Sequence, residues 1–254
     1  MTIERSRRMF ALLLAACILF QPGAFDFSHP SPTAVGMLLF WMTFAAFFFG
    51  LTYGLLQVVT EQAILRREHL VGQRLSAYLL SKITVLLPFL LLIVVLMLTV
   101  LRALNRLPPE PTSIYVSVGI SLALLGAGAL TLGLLTSAAV ANPSQATLAL
   151  PMLCFPAVLF SGAILPVHVM ATVGAAISAV MPDRWAWEAL GHDMGIRYLL
   201  AHGGSPLGPP LLKAYGNAGT LSTGTYWVLL GSFVAAFTVG AWLTLVRKCR
   251  HATR

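Results

Sequence analysis

The ionisable residues of this chain fall in short clusters separated by long uncharged runs. Chemistry within such runs would need ionisable groups facing one another, which are costly in an apolar setting and therefore informative. The runs hold none. His-Glu-x-x-His, which sets two zinc ligands and a base on one helix face, does not occur, nor does the Gly-x-Ser-x-Gly elbow of a nucleophilic serine. His29, His69, His168, His192, His202 and His251 are scattered. Cys17, Cys154 and Cys249 have no partners at metal-ligand spacing, so neither a metal site nor a disulfide framework is indicated. The dipeptide Gly-Lys is absent, so no Gly-x-x-x-x-Gly-Lys loop can cradle the phosphates of ATP. These residues predict no enzyme and no cofactor bound by the chain itself.

What remains is recognition, and one stretch concentrates it. Residues 61–82 read EQAILRREHLVGQRLSAYLLSK. Ile64, Val71, Leu75 and Tyr78 recur at seven, four and three residues, one face of a helix, with Arg67, His69, Gln73 and Arg74 elsewhere around it. A helix of this kind can lie among lipid headgroups. That accounts for the basic residues but poorly for Glu61 and Glu68, because acidic groups are disfavoured beside an anionic leaflet. A protein partner accounts for both signs.

The elements around this stretch follow from composition. The chain is 58% hydrophobic and 9% charged, against roughly 25% charged in an ordinary soluble domain. So few charges cannot cover a soluble globule, and the chain must use lipid as solvent. In hydrocarbon each backbone N–H and C=O must be satisfied within its segment, so long apolar runs are read as helices of about 20 residues. The charges and breakers place an all-α integral membrane fold of six transmembrane helices, at about 9–21, 34–59, 83–101, 114–140, 144–165 and 225–246. The first is short, broken by Pro22-Gly23. The amphipathic stretch, read as a helix over about 61–79, joins the second span to the third. Asn142-Pro143-Ser144 marks the corner before the fifth span. Residues 167–224 form an external, partly re-entrant segment with a Gly/Pro-rich stretch, GGSPLGPP.

Six spans put both termini on one side. That side carries eleven Lys/Arg (Arg5, Arg7, Arg8, Arg66, Arg67, Arg74, Lys82, Arg247, Lys248, Arg250 and Arg254), against five on the other (Arg102, Arg106, Arg184, Arg197 and Lys213). The excess places the termini and the 61–82 stretch in the cytoplasm of a multi-pass cell-membrane protein. The net charge of +8 is thus topological, and no nucleic-acid partner is indicated. Leu14-Ala15-Ala16-Cys17 imitates a lipidation signal, but Ile18, Leu19 and Phe20 prolong the apolar core where a cleaved signal would turn polar.

Three blocks carry a resemblance. They are VVTEQAILRREHLVGQRLSAYLLSK (58–82), NPSQATLALPMLCFPAVLFSGAILP (142–166) and MPDRWAWEAL (181–190). Together, in this order and spacing, they resemble ABC-2-type exporter permeases of the ABCG (White/PDR) subfamily, over about residues 34–246. The first is similar to the family's first intracellular loop. The second resembles its fifth helix, ending in Phe160-Ser161-Gly162, and the third the element after its re-entrant helix.

The resemblance implies the membrane-spanning subunit of an ATP-driven exporter that moves an amphipathic or lipidic substrate by alternating access. Its partners would be an ABC ATPase that binds the ATP and a second copy of itself or a related permease. The 61–82 helix would be the coupling helix, with Glu61, Arg66, Arg67, Glu68, His69 and Arg74 as contact positions and Gly72 ending or kinking it. Phe49 would line the substrate cavity, with Phe160, Ala163 and Ile164 at its upper gate. Residue by residue, plainer readings stand beside these. Phe49 suits a lipid-facing helix surface. Gly126, Gly128 and Gly133 suit close helix packing. Pro151 and Pro156 suit either a hinge or a static kink. Glu188 suits an i,i+4 pair with Arg184 or a gating element. A connecting helix precedes the family's first span, whereas only eight residues precede Met9 here. A membrane scaffold or sensor that transports nothing is the alternative function.

Overall fold

The computed structural model describes residues 25, 31–108, 112–216 and 218–251; the expected first span lies outside them. The described residues form α-helices and no strands. The second, third, fourth and sixth expected spans are α1 (Pro32–Leu55), α3 (Leu75–Ala103), α4 (Thr112–Ala139) and α10 (Thr223–His251), with the short α2 (Gln62–Leu70) between α1 and α3. At 1.5 Å per residue, their 24 to 29 residues reach about 36 to 44 Å, more than the roughly 30 Å of a bilayer's apolar core. These four are long and apolar enough to cross a membrane. The fifth expected span, α5 (Pro143–Leu159), is shorter at 17 residues. It starts on Pro143 and stops where Gly162 takes a left-handed φ of 82°. The expected external segment folds into α6 (Thr172–Val180), α7 (Pro182–Asp193), α8 (Ile196–His202) and α9 (Gly208–Tyr215).

Helices α1 and α4 form the centre because glycines let their backbones touch. A Cβ on Gly50 would lie 2.3 Å from the Gly126 carbonyl oxygen, and one on Gly54 would lie 2.4 Å from that of Leu130. Gly133 returns the contact, its Cβ position lying 2.7 Å from the Leu51 carbonyl oxygen. Gly128 is not in this seam; it faces Val234 of α10 at an ordinary 3.8 Å. Around the seam Leu39, Phe47, Leu51, Leu122, Leu125 and Leu130 are fully buried. By contrast α3 leaves Leu80, Val85, Phe89, Leu92 and Val95 exposed, an apolar surface suited to lipid.

Three boundaries differ from those expected. The third span starts at Leu75 rather than about 83, because Lys82 is carried inside the helix with its charge bonded to Glu61. The helix expected over 61–79 ends at Leu70, since Gly72 adopts φ 105° and α3 then begins anew. Leu75 and Tyr78 therefore belong to α3, and the buried side of α2 is Leu65, while Ile64 and Val71 are exposed. The fifth helix stops at Leu159, six residues early, at the Ser161-Gly162 turn.

Candidate functional site

Polar bonds gather at the two ends of the bundle. At one end α2 is mounted on its neighbours. The backbone N–H groups of Val58 and Val59 both donate to Ser137 Oγ on α4, at 3.1 and 2.9 Å. Gln62 Nε2 donates to the Val140 carbonyl at 3.0 Å, and Lys248 Nζ from α10 donates to the carbonyls of Ala138 and Val140 at 2.9 and 2.6 Å. These bonds satisfy carbonyls that the end of α4 leaves open and that favour a cation. Glu61 receives the Tyr78 hydroxyl at 2.9 Å and Lys82 Nζ at 2.6 Å. Partial burial pushes the Glu61 carboxyl up, but those two donors and the ammonium charge outweigh it and hold the carboxyl below its usual range.

The other side of α2 is open. Arg67, Glu68, Gly72, Gln73 and Arg74 are exposed, and Val71 is 90% exposed. Arg67, Glu68, Val71 and Gln73 line an open concavity. His69 is half-buried, its Nδ1 3.1 Å from the Gln73 carbonyl. Arg66 lies on α2, and its side chain lies outside the described residues. Of the expected contact positions, Glu61 is thus spent within the chain, whereas Arg67, Glu68 and Arg74 face outward.

At the opposite end α7 is tied to the starts of α4 and α10. Asp193 accepts from Ser117 and Thr223 hydroxyls, each at 2.6 Å. Glu188, 5% exposed, accepts from Arg184 Nε at 2.9 Å and from the Tyr226 hydroxyl at 3.3 Å. The guanidinium of Arg184 lies 4.5 Å from the Trp185 ring centroid. Tyr226 sits on a span end fixed by this cap. Ser178 of α6 donates to the Phe160 carbonyl at 2.8 Å, and a Cβ on Gly162 would lie 4.0 Å from Arg184 Cγ. The second and third sequence blocks therefore pack against each other. The i,i+4 pair expected for Glu188 is present.

The expected cavity residues are placed as follows. Phe49 is 8% exposed and sits in the core. Phe160 and Ala163 are half-buried beyond α5, and Ile164 is exposed. The aromatic face that α1 leaves at least partly open is Trp41, Phe44 and Phe48, at helical spacing, with successive ring centroids 5.8 and 6.0 Å apart. On α5, Leu148, Met152, Phe155 and Leu159 repeat at four, three and four residues, all exposed. Phe48 on the aromatic face is the neighbour of the expected Phe49, about 100° around the helix. The carboxyls of Asp183 and Asp193 were also missed, although Asp183 stands within the third block. Asp183 is fully buried, and burial pushes its carboxyl up to about 8.

The family model for the ABC-2 type transporter matches residues 7–192. The chain belongs to that family. It is accordingly a multi-pass membrane protein and a permease component of an ABC transporter, not a catalytic domain. No curated protein matches the chain. The matched stretch contains all three sequence blocks and ends just short of Asp193.

Proposed function

We propose that this permease is the membrane half of an ATP-driven exporter, with α2 as the helix that a separate ATPase subunit grips. The reading is carried by the two-sidedness of α2. Glu61, Gln62 and Leu65 anchor it to α3 and α4, while Arg67, Glu68, Val71, Gln73 and Arg74 stay exposed. An exposed, mixed-charge face on a rigid mount suits docking of a soluble partner, where such charges set register and encounter more than affinity. The sequence's excess of Lys/Arg in the stretches assigned to this side supports a cytoplasmic position for it.

Two copies would enclose the substrate path. Its wall would be the Trp41, Phe44 and Phe48 face together with the α5 face of Leu148, Met152 and Phe155, closed above by Phe160, Ala163 and Ile164. Such a wall favours an amphipathic or lipidic cargo, released outward as closure of the ATPase pair shifts the populations of two packed states. The test is Glu68→Arg. It should leave membrane insertion intact while abolishing co-purification of the ATPase and ATP-dependent transport in vesicles. Normal coupling in the charge-reversed protein would overturn the docking role of α2.

A further inference from the structure

Asp183 has no part in the cap formed by its neighbours. It occupies the first turn of α7, just after Pro182, and is 0% exposed. Among the described residues, neither carboxyl oxygen has a hydrogen-bond donor. A buried carboxylate without donors is among the least tolerable groups in a protein interior, and such a group takes up a proton instead. Its hydrogen-bonding neighbour is the Thr43 hydroxyl of α1. That hydroxyl is already directed at its own helix, 2.9 Å from the Phe40 carbonyl and 3.2 Å from that of Leu39. It therefore turns a lone pair, not a hydrogen, toward Asp183. A lone pair repels a carboxylate and accepts from a carboxylic acid.

Among the described residues the surroundings supply no counter-charge. From α5 the uncharged Cys154 thiol lies near the carboxyl and has no hydrogen bond to it. Helix α1 has no charged residue, and its one ionisable group, Tyr53, lies ten residues from Thr43. Helix α4 offers only Tyr115, which covers Arg102 at 4.5 Å, and α6 offers no ionisable group. Tyr226 of α10 is bonded to Glu188. On α8, Arg197 is held by the carbonyls of Gly216 and Ala218, and Tyr198 stacks on His202. Within α7 itself Arg184 is paired with Glu188, His192 Nδ1 meets the Gly219 carbonyl, and Asp193 is bonded to hydroxyls. The start of α7 favours an anion through its dipole, but with no backbone N–H bonded to the carboxyl this does not replace lost water.

The geometry points to Asp183 as a proton-binding site, a neutral acid while α1, α5 and α7 are closed around it that releases its proton to water when they part. In the closed form its O–H donates to Thr43 Oγ, which in turn donates to α1. Loss of the proton forces Thr43 either to abandon its carbonyl and turn to the carboxylate or to leave the anion unpaired. Both outcomes loosen the α1–α7 junction. Alkaline pH therefore favours the opened junction, independently of whether α2 docks an ATPase.

The experiment is infrared spectroscopy of the purified chain in nanodiscs of neutral lipid, titrated from pH 5 to 10. A carboxylic-acid C=O band should disappear with a midpoint near 8, and Asp183→Asn should lack it. The folded-state value lies above the unfolded one, so stability from this group is full below about pH 4 and drains as pH rises to about 8. Wild-type protein should lose thermal stability over that window relative to Asp183→Asn. Should the Asn variant fail to fold, Thr43→Val decides. Without the hydroxyl oxygen that accepts the acid's O–H, the neutral form loses its partner and the band's midpoint should move downward. Absence of a titrating band, or identical pH profiles for wild type and Asp183→Asn, or an unmoved midpoint in Thr43→Val, would overturn the proposal.

Discussion

Removal of Arg184 tests how the α7 cap is held. On a helix surface an i,i+4 pair is worth only about 0.3–0.5 kcal/mol, and with Arg preceding Glu and lying in the first turn, the helix dipole opposes it. The side chains here are 16% and 5% exposed, so the relevant comparison is a buried pair, where loss of one partner costs about 3–5 kcal/mol. Arg184→Met leaves Glu188 Oε1 without its 2.9 Å donor and keeps only the longer 3.3 Å bond from Tyr226. It also removes the guanidinium from the Trp185 ring, worth about 0.5–1 kcal/mol. The expected loss is about 3–5 kcal/mol. The double change Arg184→Met/Glu188→Met removes both charges and should recover most of it, a coupling of about 2–3 kcal/mol. Reversible unfolding in mixed micelles, followed by tryptophan fluorescence, reads this directly because Trp185 and Trp187 lie on the same helix. A loss below about 1 kcal/mol for Arg184→Met, or a double variant as unstable as the sum of the singles, would refute a buried, uncompensated Glu188.

Two further changes probe the backbone. Gly50→Ala places a methyl 2.3 Å from a backbone carbonyl that cannot yield, so α1 and α4 must separate; a loss of about 1–3 kcal/mol in the same unfolding assay is expected, and a change within about 0.5 kcal/mol would disprove the seam. Gly231→Ala on α10, with nothing within 4 Å, is the control and should be neutral or stabilising. Gly72→Ala meets no atoms either, but φ 105° strains any residue with a Cβ by about 1–2 kcal/mol. It should lower stability by that amount and expose the α2–α3 junction to protease, and unchanged proteolysis would count against the break.

The spans were legible where charges or breakers stop an apolar run. The expected 34–59, 114–140 and 225–246 correspond to Pro32–Leu55, Thr112–Ala139 and Thr223–His251. The start of α3 was not, because a lysine looks like a boundary until its partner, Glu61, is found 21 residues away. Periodicity ran Ile64, Val71, Leu75 and Tyr78 into one face because spacing alone does not see a chain reversal at Gly72. Local pairs such as Arg184 with Glu188 could be read from an i,i+4 interval. The bonds of Asp193 to Ser117 and Thr223 could not, since they join three elements far apart in sequence. The aromatic face was hidden for a simpler reason. In the run Phe47-Phe48-Phe49 each step turns the helix by about 100°, and composition cannot say which ring faces out.

The same bonds constrain how motion can pass through the chain. Ser137 binds the segment just before α2 to α4, and the glycine seam holds α1 against α4 by backbone contact with no intervening side chains to change rotamer. A displacement of α2 must therefore either break the Ser137 bonds or carry α1 and α4 together. At the far end α4 is bound to α7 through Ser117 and Asp193, and α1 meets α7 at Thr43 and Asp183. The first of these contacts is a charge-assisted bond of 2.6 Å, and the second lacks any donor to the carboxyl. When α1 and α4 tilt as a unit, the weaker contact yields first. The place where the cap can part from the bundle is thus the Thr43–Asp183 junction, and the α4–α7 bond is the pivot.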